Sequence, residues 1–315
     1  MPELPEVETT LRGIAPHLQG QQVTDVVIRN ASLRWPIPKN LPKLLRGHTV
    51  RHLQRRAKYL LIAFDHCTLI LHLGMSGSLR ILPSNTPAEK HDHFDLVLGN
   101  GKLMRLRDPR RFGAVLWHEG DVSKHPLLAL LGPEPLTTNS FLPPCRGGER
   151  SEGATRMGVE LRNSHASTPT LTLPLQGGGN LSVFNSDYLY KATRTRSAAI
   201  KLAIMDNHLV VGVGNIYANE ALFRAGIRPQ LSANKLSRPR CARLVQTIQQ
   251  VLREAIQKGG SSLRDFIHSD GSSGYFQQHY FVYGRKGEAC KSCGSPIKQI
   301  KQGQRSSFYC ATCQK

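Results

Sequence analysis

Two stretches of this chain carry residue types at spacings that can do chemistry, and they lie at its opposite ends. The first is the opening, Met1-Pro2-Glu3-Leu4-Pro5-Glu6-Val7-Glu8-Thr9. Met1 stands beside a residue small enough for it to be trimmed, which leaves the secondary amine of Pro2 at the terminus. A secondary amine attacking a sugar aldehyde carbon gives an iminium ion with a fixed positive charge, whereas a primary amine gives an imine that must also hold a proton. Pro2 is therefore a candidate nucleophile and electron sink, with the Glu3 carboxyl beside it as an acid. Glu6 and Glu8 fall in the first turns of a helix, where the positive end of the macrodipole favours carboxylates. The same residues also make an ordinary helix start, with Pro at the first helical position and Glu in the first turn. The opening alone does not choose between the two.

The second stretch pairs Cys290-Lys291-Ser292-Cys293 with Cys310-Ala311-Thr312-Cys313, sixteen residues apart. That spacing and an all-thiolate set suit tetrahedral Zn²⁺ in a zinc ribbon. Four protein ligands leave no open position for water, so one structural zinc is expected, folding a small hairpin. Lys298, Lys301, Arg305 and Phe308 on that hairpin are suited to phosphates and bases.

These groups need elements to hold them. Val7, Leu11, Ile14 and Leu18 recur at helical spacing, so the opening runs into a helix that stops at Gly20. From residue 22 to 118 the pattern changes to about eight short strands, at 23–28, 49–53, 59–64, 68–73, 79–82, 94–98, 103–106 and 114–117, which reads as a β-sandwich or barrel. Leu131-Gly132-Pro133-Glu134-Pro135 makes a hinge. Residues 140–182, bracketed by Pro143-Pro144 and Gly177-Gly178-Gly179, have the composition of a linker or disordered insert. Helical period returns from Ser186, with helices over 196–205, 216–225 and 239–258 and a glycine turn between the first two. The expected architecture is α+β and multidomain: a β-sandwich with its N-terminal helix (1–135), a hinge and insert (136–185), a helical domain (186–274) and a zinc finger (275–315).

The chain has 42 Lys plus Arg against 22 Asp plus Glu, a formal net charge of +20, and a pI of about 10.1. Such a charge repels itself, and a common reason to carry it is attraction to nucleic acid or an anionic membrane. No apolar run has the length of a membrane span, and acidic residues stand where a signal peptide needs basic ones. A cytoplasmic, nucleic-acid-binding protein is expected. The other cysteines, Cys67, Cys145 and Cys241, are scattered singly.

Several segments could touch the nucleic acid. Gly212-Val213-Gly214-Asn215 precedes a helix, where exposed N–H groups make a phosphate site; tight helix packing is the alternative. Asp108-Pro109-Arg110-Arg111-Phe112-Gly113 is a loop between strands that can push a ring between base steps, unless Phe112 is tucked into the sandwich. His72-Leu73-Gly74-Met75-Ser76-Gly77 offers Met75 as an apolar wedge, although Met is more often core. Arg55-Arg56-Ala57-Lys58 begins a strand, with charges that by default form a solvated face.

Taken together, these motifs closely resemble the bacterial formamidopyrimidine-DNA glycosylases, bifunctional base-excision enzymes for oxidised purines such as 8-oxoguanine. The resemblance covers nearly everything outside residues 140–182. It implies a β-sandwich domain, a helix-two-turn-helix domain and a zinc finger, with damaged double-stranded DNA between them and no small-molecule cofactor. By matching motif it implies Pro2 as the Schiff-base nucleophile at C1′, Glu3 as the acid assisting base loss and sugar opening, and Lys58 as a second proton donor. Arg305 would assist elimination or bind the lesion's phosphates. Met75, Arg110 and Phe112 would fill the gap left by the flipped nucleotide, Arg110 facing the orphaned cytosine. His72, His91, Arg196, Lys201 and Asn215 would contact DNA, and residues 269–276 would form the loop covering the lesion. A monomer associated with the bacterial nucleoid is implied. The insert departs from the family pattern and should be tolerated if it loops out. An endonuclease VIII-type enzyme for oxidised pyrimidines, or a non-catalytic zinc-ribbon DNA binder, are the competing readings.

Overall fold

The structure, a computed structural model, describes residues 2–136, 183–260 and 280–315. The segments expected to form the insert and the lesion-covering loop lie outside the described residues.

Helix α1 (Leu4–Leu18) begins where Glu3 turns to an extended conformation and its N–H donates to Glu6 Oε2 at 2.8 Å. The expected stripe faces inward, with Val7, Ile14 and Leu18 buried and Leu11 half-buried. Gly20, at φ +80°, turns the chain away. Leu4 belongs to a different core from Val7: it packs among the helices that follow the hinge, whereas Val7, Ile14 and Leu18 pack on the sandwich. The first turn of α1 is thereby wedged between two cores, and that fixes the chain terminus.

The next segment comprises β1 (Val23–Ile28), α2 (Leu41–Leu45), β2 (His52–Arg56), β3 (Tyr59–Ala63), β4 (Cys67–His72), β5 (Ser78–Pro83), β6 (Asp92–Leu98), β7 (Lys102–Arg107), β8 (Ala114–Glu119) and the short α3 (Pro126–Ala129). The strands form two four-stranded antiparallel sheets, ordered β1-β6-β7-β5 and β2-β3-β4-β8. Leu60, Ile62, Leu69 and Leu71 meet Phe94, Leu96, Met104 and Leu106 between the sheets. β3 and β4 show weak polar alternation because their outer face is also covered: Leu61 and Ile70 pack on Leu128 of α3. The second strand begins three residues later than its apolar pattern suggests. The 48–50 segment bridges to the start of β1 instead: Val50 N–H donates to Gln21 O and Val23 N–H to His48 O, with Thr49 opposite Gln22.

After residue 182 come α4 (Ser186–Thr193), α5 (Ile200–Ile204), α6 (Asn215–Arg224) and α7 (Arg238–Gln257). The helix expected over 196–205 is confined to α5. The carbonyls of Arg196 and Ala198 accept from Asn234 and Ala233, and Ile200 N–H donates to Leu231, so these residues pair with a distant loop. α4 lies where the helical period returns at Ser186, although the periodicity bounds no separate helix there, and it is capped by Asn185, whose Oδ1 accepts the Tyr188 N–H at 2.8 Å. The chain closes in a hairpin of β9 (Ile297–Gln302) and β10 (Arg305–Cys310), joined through Gly303 and Gln304, both at positive φ.

Helix α6 ties the parts together. Its buried Glu220 accepts the backbone N–H groups of Phe281, Val282 and Tyr283 at 2.9–3.0 Å, which anchors the start of the finger. Asn219 Oδ1 accepts the Phe308 N–H at 2.7 Å, which anchors the hairpin.

Candidate active site

The N-terminus of α6 holds a carboxylate of the chain itself. Ile216 N–H donates to Glu3 Oε1 at 2.9 Å and Tyr217 N–H to Glu3 Oε2 at 3.4 Å. The glycine turn read from sequence as a phosphate site holds the Glu3 carboxyl, which occupies the dipole end that a phosphate would use. The two glycines are required by closeness. A Cβ on Gly214 would stand 2.1 Å from Glu3 Cδ, and one on Gly212, at φ +80°, would stand 2.5 Å from Leu4 Cδ1. Leu4 N–H also donates to the Gly212 carbonyl at 3.1 Å. Pro2 is buried beside this cradle.

A steric prediction follows. Gly214 has φ −111° and ψ −163°, which any residue adopts, so Gly214→Ala acts only by pushing Glu3 aside. Its single-turnover excision rate is expected to fall about 100-fold, the scale for displacing a reacting group by an ångström, with the far-ultraviolet circular dichroism unchanged. An unaltered rate would contradict the cradle.

Glu3 is 3 % exposed, and burial raises its carboxyl above the usual range; the neighbouring Glu6 adds to this, while Lys58 and the α6 N–H groups oppose it. Lys58 is 8 % exposed, and burial lowers its ammonium, with Arg305 adding and Glu3 opposing. Both groups are thus moved towards their neutral forms, the condition under which a proton passes readily near neutral pH. Lys58 comes from the β2–β3 turn and Arg305 from the tip of the finger hairpin, where it is exposed. Glu6 lies behind them, accepting from the Glu3 N–H and, at 2.5 Å, from the Tyr217 hydroxyl. Glu6 and Tyr217 had no chemical role in the sequence reading; an acid on the apolar face of α1 was the available signal.

Arg55 and Arg56 correct the expectation of a solvated face. Arg55 is 6 % exposed and bonds Glu8 and Glu134, while Arg56 bonds Glu134 and the carbonyls of Leu131 and Gly132. They anchor the 131–134 segment.

The two wedge loops meet. A Cβ on Gly74 would lie 2.3 Å from the Phe112 carbonyl carbon, so the backbones are in direct contact. Buried Asp108 is their common anchor: Oδ1 accepts from Ser76 Oγ at 2.7 Å and Oδ2 from the Gly113 N–H at 2.7 Å. Met75 is 37 % exposed and Phe112 44 % exposed, which excludes burial of either ring or thioether in the sandwich. The Arg110 guanidinium lies 5.1 Å from the Phe112 ring. His72 Nδ1 accepts the Gly74 N–H at 3.0 Å, and burial with Lys58 and Arg34 lowers its pKa to about 4, so the ring is neutral and offers Nε2–H. His91 is half-buried, and its carbonyl accepts the Asp108 N–H at 3.0 Å, which places it beside the loop base.

Three expected DNA contacts have partners within the protein. Arg196 pairs with Asp206 at 2.7 Å. Lys201 is fully buried, donating to Ser306 O at 2.8 Å and Ser307 Oγ at 2.7 Å; burial and Arg305 lower its ammonium to about 8. Asn215 is half-buried with its amide at the Tyr283 hydroxyl. Lys201 thereby fastens the finger hairpin to α5 and sits beside Arg305.

The four finger thiols converge, all Sγ atoms lying within 4.8 Å of one another. Tetrahedral zinc with bonds of about 2.3 Å needs sulfurs about 3.8 Å apart, and the Cys290–Cys313 and Cys293–Cys310 separations are 3.9 and 3.5 Å. The set fits one structural zinc held by Cys290, Cys293, Cys310 and Cys313.

Comparison with known proteins agrees along the chain. Residues 1–115 match the formamidopyrimidine-DNA glycosylase N-terminal domain, residues 178–267 the formamidopyrimidine-DNA glycosylase H2TH domain, and residues 287–315 the zinc finger found in FPG and IleRS. The formamidopyrimidine-DNA glycosylase of Thioalkalivibrio sulfidiphilus is 52 % identical, with all of both chains covered. Among solved structures, Lactococcus lactis Fpg in complex with abasic-site DNA is similar at 29 % identity and TM-score 0.79, with 99 % of each chain covered. Thermus thermophilus MutM (Fpg) is similar at 32 % identity and TM-score 0.76, with 99 % of this chain and 98 % of that one covered. With a relative this near along its whole length and the three parts matched in order, the chain belongs to the formamidopyrimidine-DNA glycosylase family.

Proposed function

We propose that this protein is a DNA glycosylase with AP lyase activity, which removes oxidised purines such as 8-oxoguanine from duplex DNA and then cuts the strand. The observation that carries the reading is the seating of Glu3 on the α6 N-terminus, within electrostatic reach of Lys58 and next in sequence to Pro2. A Schiff-base enzyme needs an amine, an acid and a second proton donor, and the burial of Pro2, Glu3 and Lys58 with Glu3 and Lys58 in electrostatic contact supports that assignment.

In this reading the Pro2 amine attacks C1′ of the flipped nucleoside, and the C1′–N bond to the base breaks as the base takes up a proton. Glu3 protonates the ring oxygen so that the sugar opens, leaving an iminium between Pro2 and C1′. The iminium withdraws electrons and acidifies C2′–H. Loss of that proton expels the 3′ phosphate, and a second elimination expels the 5′ phosphate. Lys58 supplies a proton near the sugar, and Arg305 and His72 hold phosphates. Met75 and Phe112 fill the vacated stack, and Arg110 faces the orphaned cytosine, since an enzyme that extrudes a base must occupy the hole. His91, Arg196, Lys201 and Asn215 support the DNA directly or through the finger. The zinc shapes the finger and takes no part in the bond changes.

The protein works as a monomer on damaged double-stranded DNA in the cytoplasm, associated with the nucleoid, without a small-molecule cofactor. No described helix is long and apolar enough to cross a membrane, and the net charge of +20 suits a polyanion. Duplexes carrying 8-oxoguanine opposite cytosine and duplexes carrying thymine glycol test the substrate class. Faster excision of 8-oxoguanine is expected; a preference for thymine glycol would move the chain to the pyrimidine-type reading.

A further inference from the structure

Lys58 stands on a two-residue turn whose first member, Ala57, has φ +54°. That left-handed conformation is unfavourable for a residue with a Cβ and persists only where neighbours impose it. Here the neighbour is Glu134. Its Oε1 accepts the Ala57 N–H at 2.7 Å and Arg56 Nη1 at 3.0 Å, and its Oε2 accepts Arg55 Nη1 at 2.8 Å; the same Arg55 nitrogen donates to the Ala57 carbonyl at 3.0 Å. The Ala57 N–H is thus held by a carboxylate that lies 77 residues away in sequence, and its carbonyl by the Arg55 guanidinium that the same carboxylate binds.

The segment that carries Glu134 is tied on its other side to the chain leading into the Glu3 cradle. Gly132 N–H donates to Asn207 O at 2.8 Å, Val211 N–H donates to Pro133 O at 3.2 Å, and His208 Nδ1 lies 2.8 Å from Leu130 O. Gly132 packs so closely that a Cβ would stand 2.7 Å from His208 O. Residues 130–134 therefore touch both halves of the site: the Lys58 turn through Arg56 and Glu134, and the 207–211 segment that continues into Gly212 and Gly214.

We propose that Glu134 is a positioning residue, which imposes the left-handed Ala57 turn that aims Lys58 and keeps that turn in register with the cradle of Glu3. The inference rests on the reading of Lys58 as a proton donor. Glu134 touches no reacting atom in this arrangement; it acts through the turn.

A structural ion pair and a positioning residue differ in what rescues them. Glycine adopts left-handed backbone without the Cβ penalty, so Ala57→Gly should restore the turn when its carboxylate clamp is gone. In single-turnover excision with full-length zinc-loaded protein, Glu134→Ala is expected to lose about 100-fold in rate, the scale for an ångström's misplacement, with DNA affinity held. Adding Ala57→Gly is expected to recover at least about tenfold of that loss. Glu134→Gln, which keeps an oxygen for the Ala57 N–H, is expected to lose less than Glu134→Ala and serves if the alanine variant does not fold. A Glu134→Ala rate equal to the parent's, a loss that Ala57→Gly leaves untouched, or a glutamine variant as impaired as the alanine one overturns the proposal. Lys58→Ala runs alongside. An unchanged rate there removes the reading of Lys58 itself, whereas a loss there with Glu134→Ala unaffected removes only the positioning role.

Discussion

Glu3→Gln is expected to lower the single-turnover rate of base excision by about 10²–10⁴-fold, the range of general acid catalysis, while most of the strand cleavage at a preformed abasic site survives. The two steps differ in what they ask of the carboxyl. Excision needs a proton for the sugar ring oxygen as the base leaves, and Glu3 is the buried acid beside Pro2. A preformed abasic site opens to its aldehyde without help, so Pro2 meets a ready electrophile. Glutamine retains the oxygen that accepts the Ile216 N–H but has no proton to give.

The same substitution carries a stability signature. Burial raises the Glu3 carboxyl above its ordinary 4.5, so the folded chain binds this proton more tightly than the unfolded chain does. The stability linked to it is complete below the unfolded value and is lost as pH rises through the folded one. Glu3→Gln should therefore raise Tm at pH 8 and change it little at pH 4.5. Equal shifts at both pH values would contradict a carboxyl held out of water.

Removing the zinc should be the second large effect. Chelation at neutral pH, or Cys293→Ser, is expected to release one zinc per chain and abolish lesion-DNA binding and cleavage, with recovery on adding zinc to the chelated protein. The apolar core of the finger is small: among the described residues Val282, Cys290, Ile297, Phe308 and Cys310 are buried in it, packed on Phe223 of α6. A unit of that size does not fold on burial alone, and structural zinc supplies about 10–16 kcal/mol in isolated finger peptides. Without the hairpin, Lys201 loses Ser306 and Ser307, Asn219 loses Phe308, and Arg305 leaves the neighbourhood of Lys58. Metal content, DNA binding and cleavage measured on one sample decide it. Metal-free protein that cuts lesion DNA at the parental rate would contradict a structural role.

Local pattern and distant contact divide what could be read beforehand. The eight strands of the sandwich and the thiol set were legible, because strand alternation, turn residues and Cys spacing are local signals. The wedge loops were legible as loops, but the exposure of Met75 and Phe112 was not, since either could have filled the sandwich. The glycine turn before α6 was read as a phosphate site, and the structure seats the Glu3 carboxyl there. Which anion fills it depends on a contact 213 residues away, and the glycines of a phosphate loop and of a carboxylate cradle look alike in sequence. Arg55 and Arg56 were misjudged for the same reason, as their partner Glu134 lies beyond the whole sandwich. The residues at 196–199 have helical composition, yet their backbone groups pair with the 231–234 loop.

Borohydride trapping tests the central claim most directly. Protein incubated with a duplex containing 8-oxoguanine opposite cytosine and reduced in place should give a covalent protein–DNA adduct, and peptide mapping should place it on Pro2 with Met1 absent. Protein retaining Met1, whose Pro2 nitrogen is locked in a peptide bond, should give little of it. An adduct mapped to a lysine, or none with any oxidised-base duplex, would contradict the account.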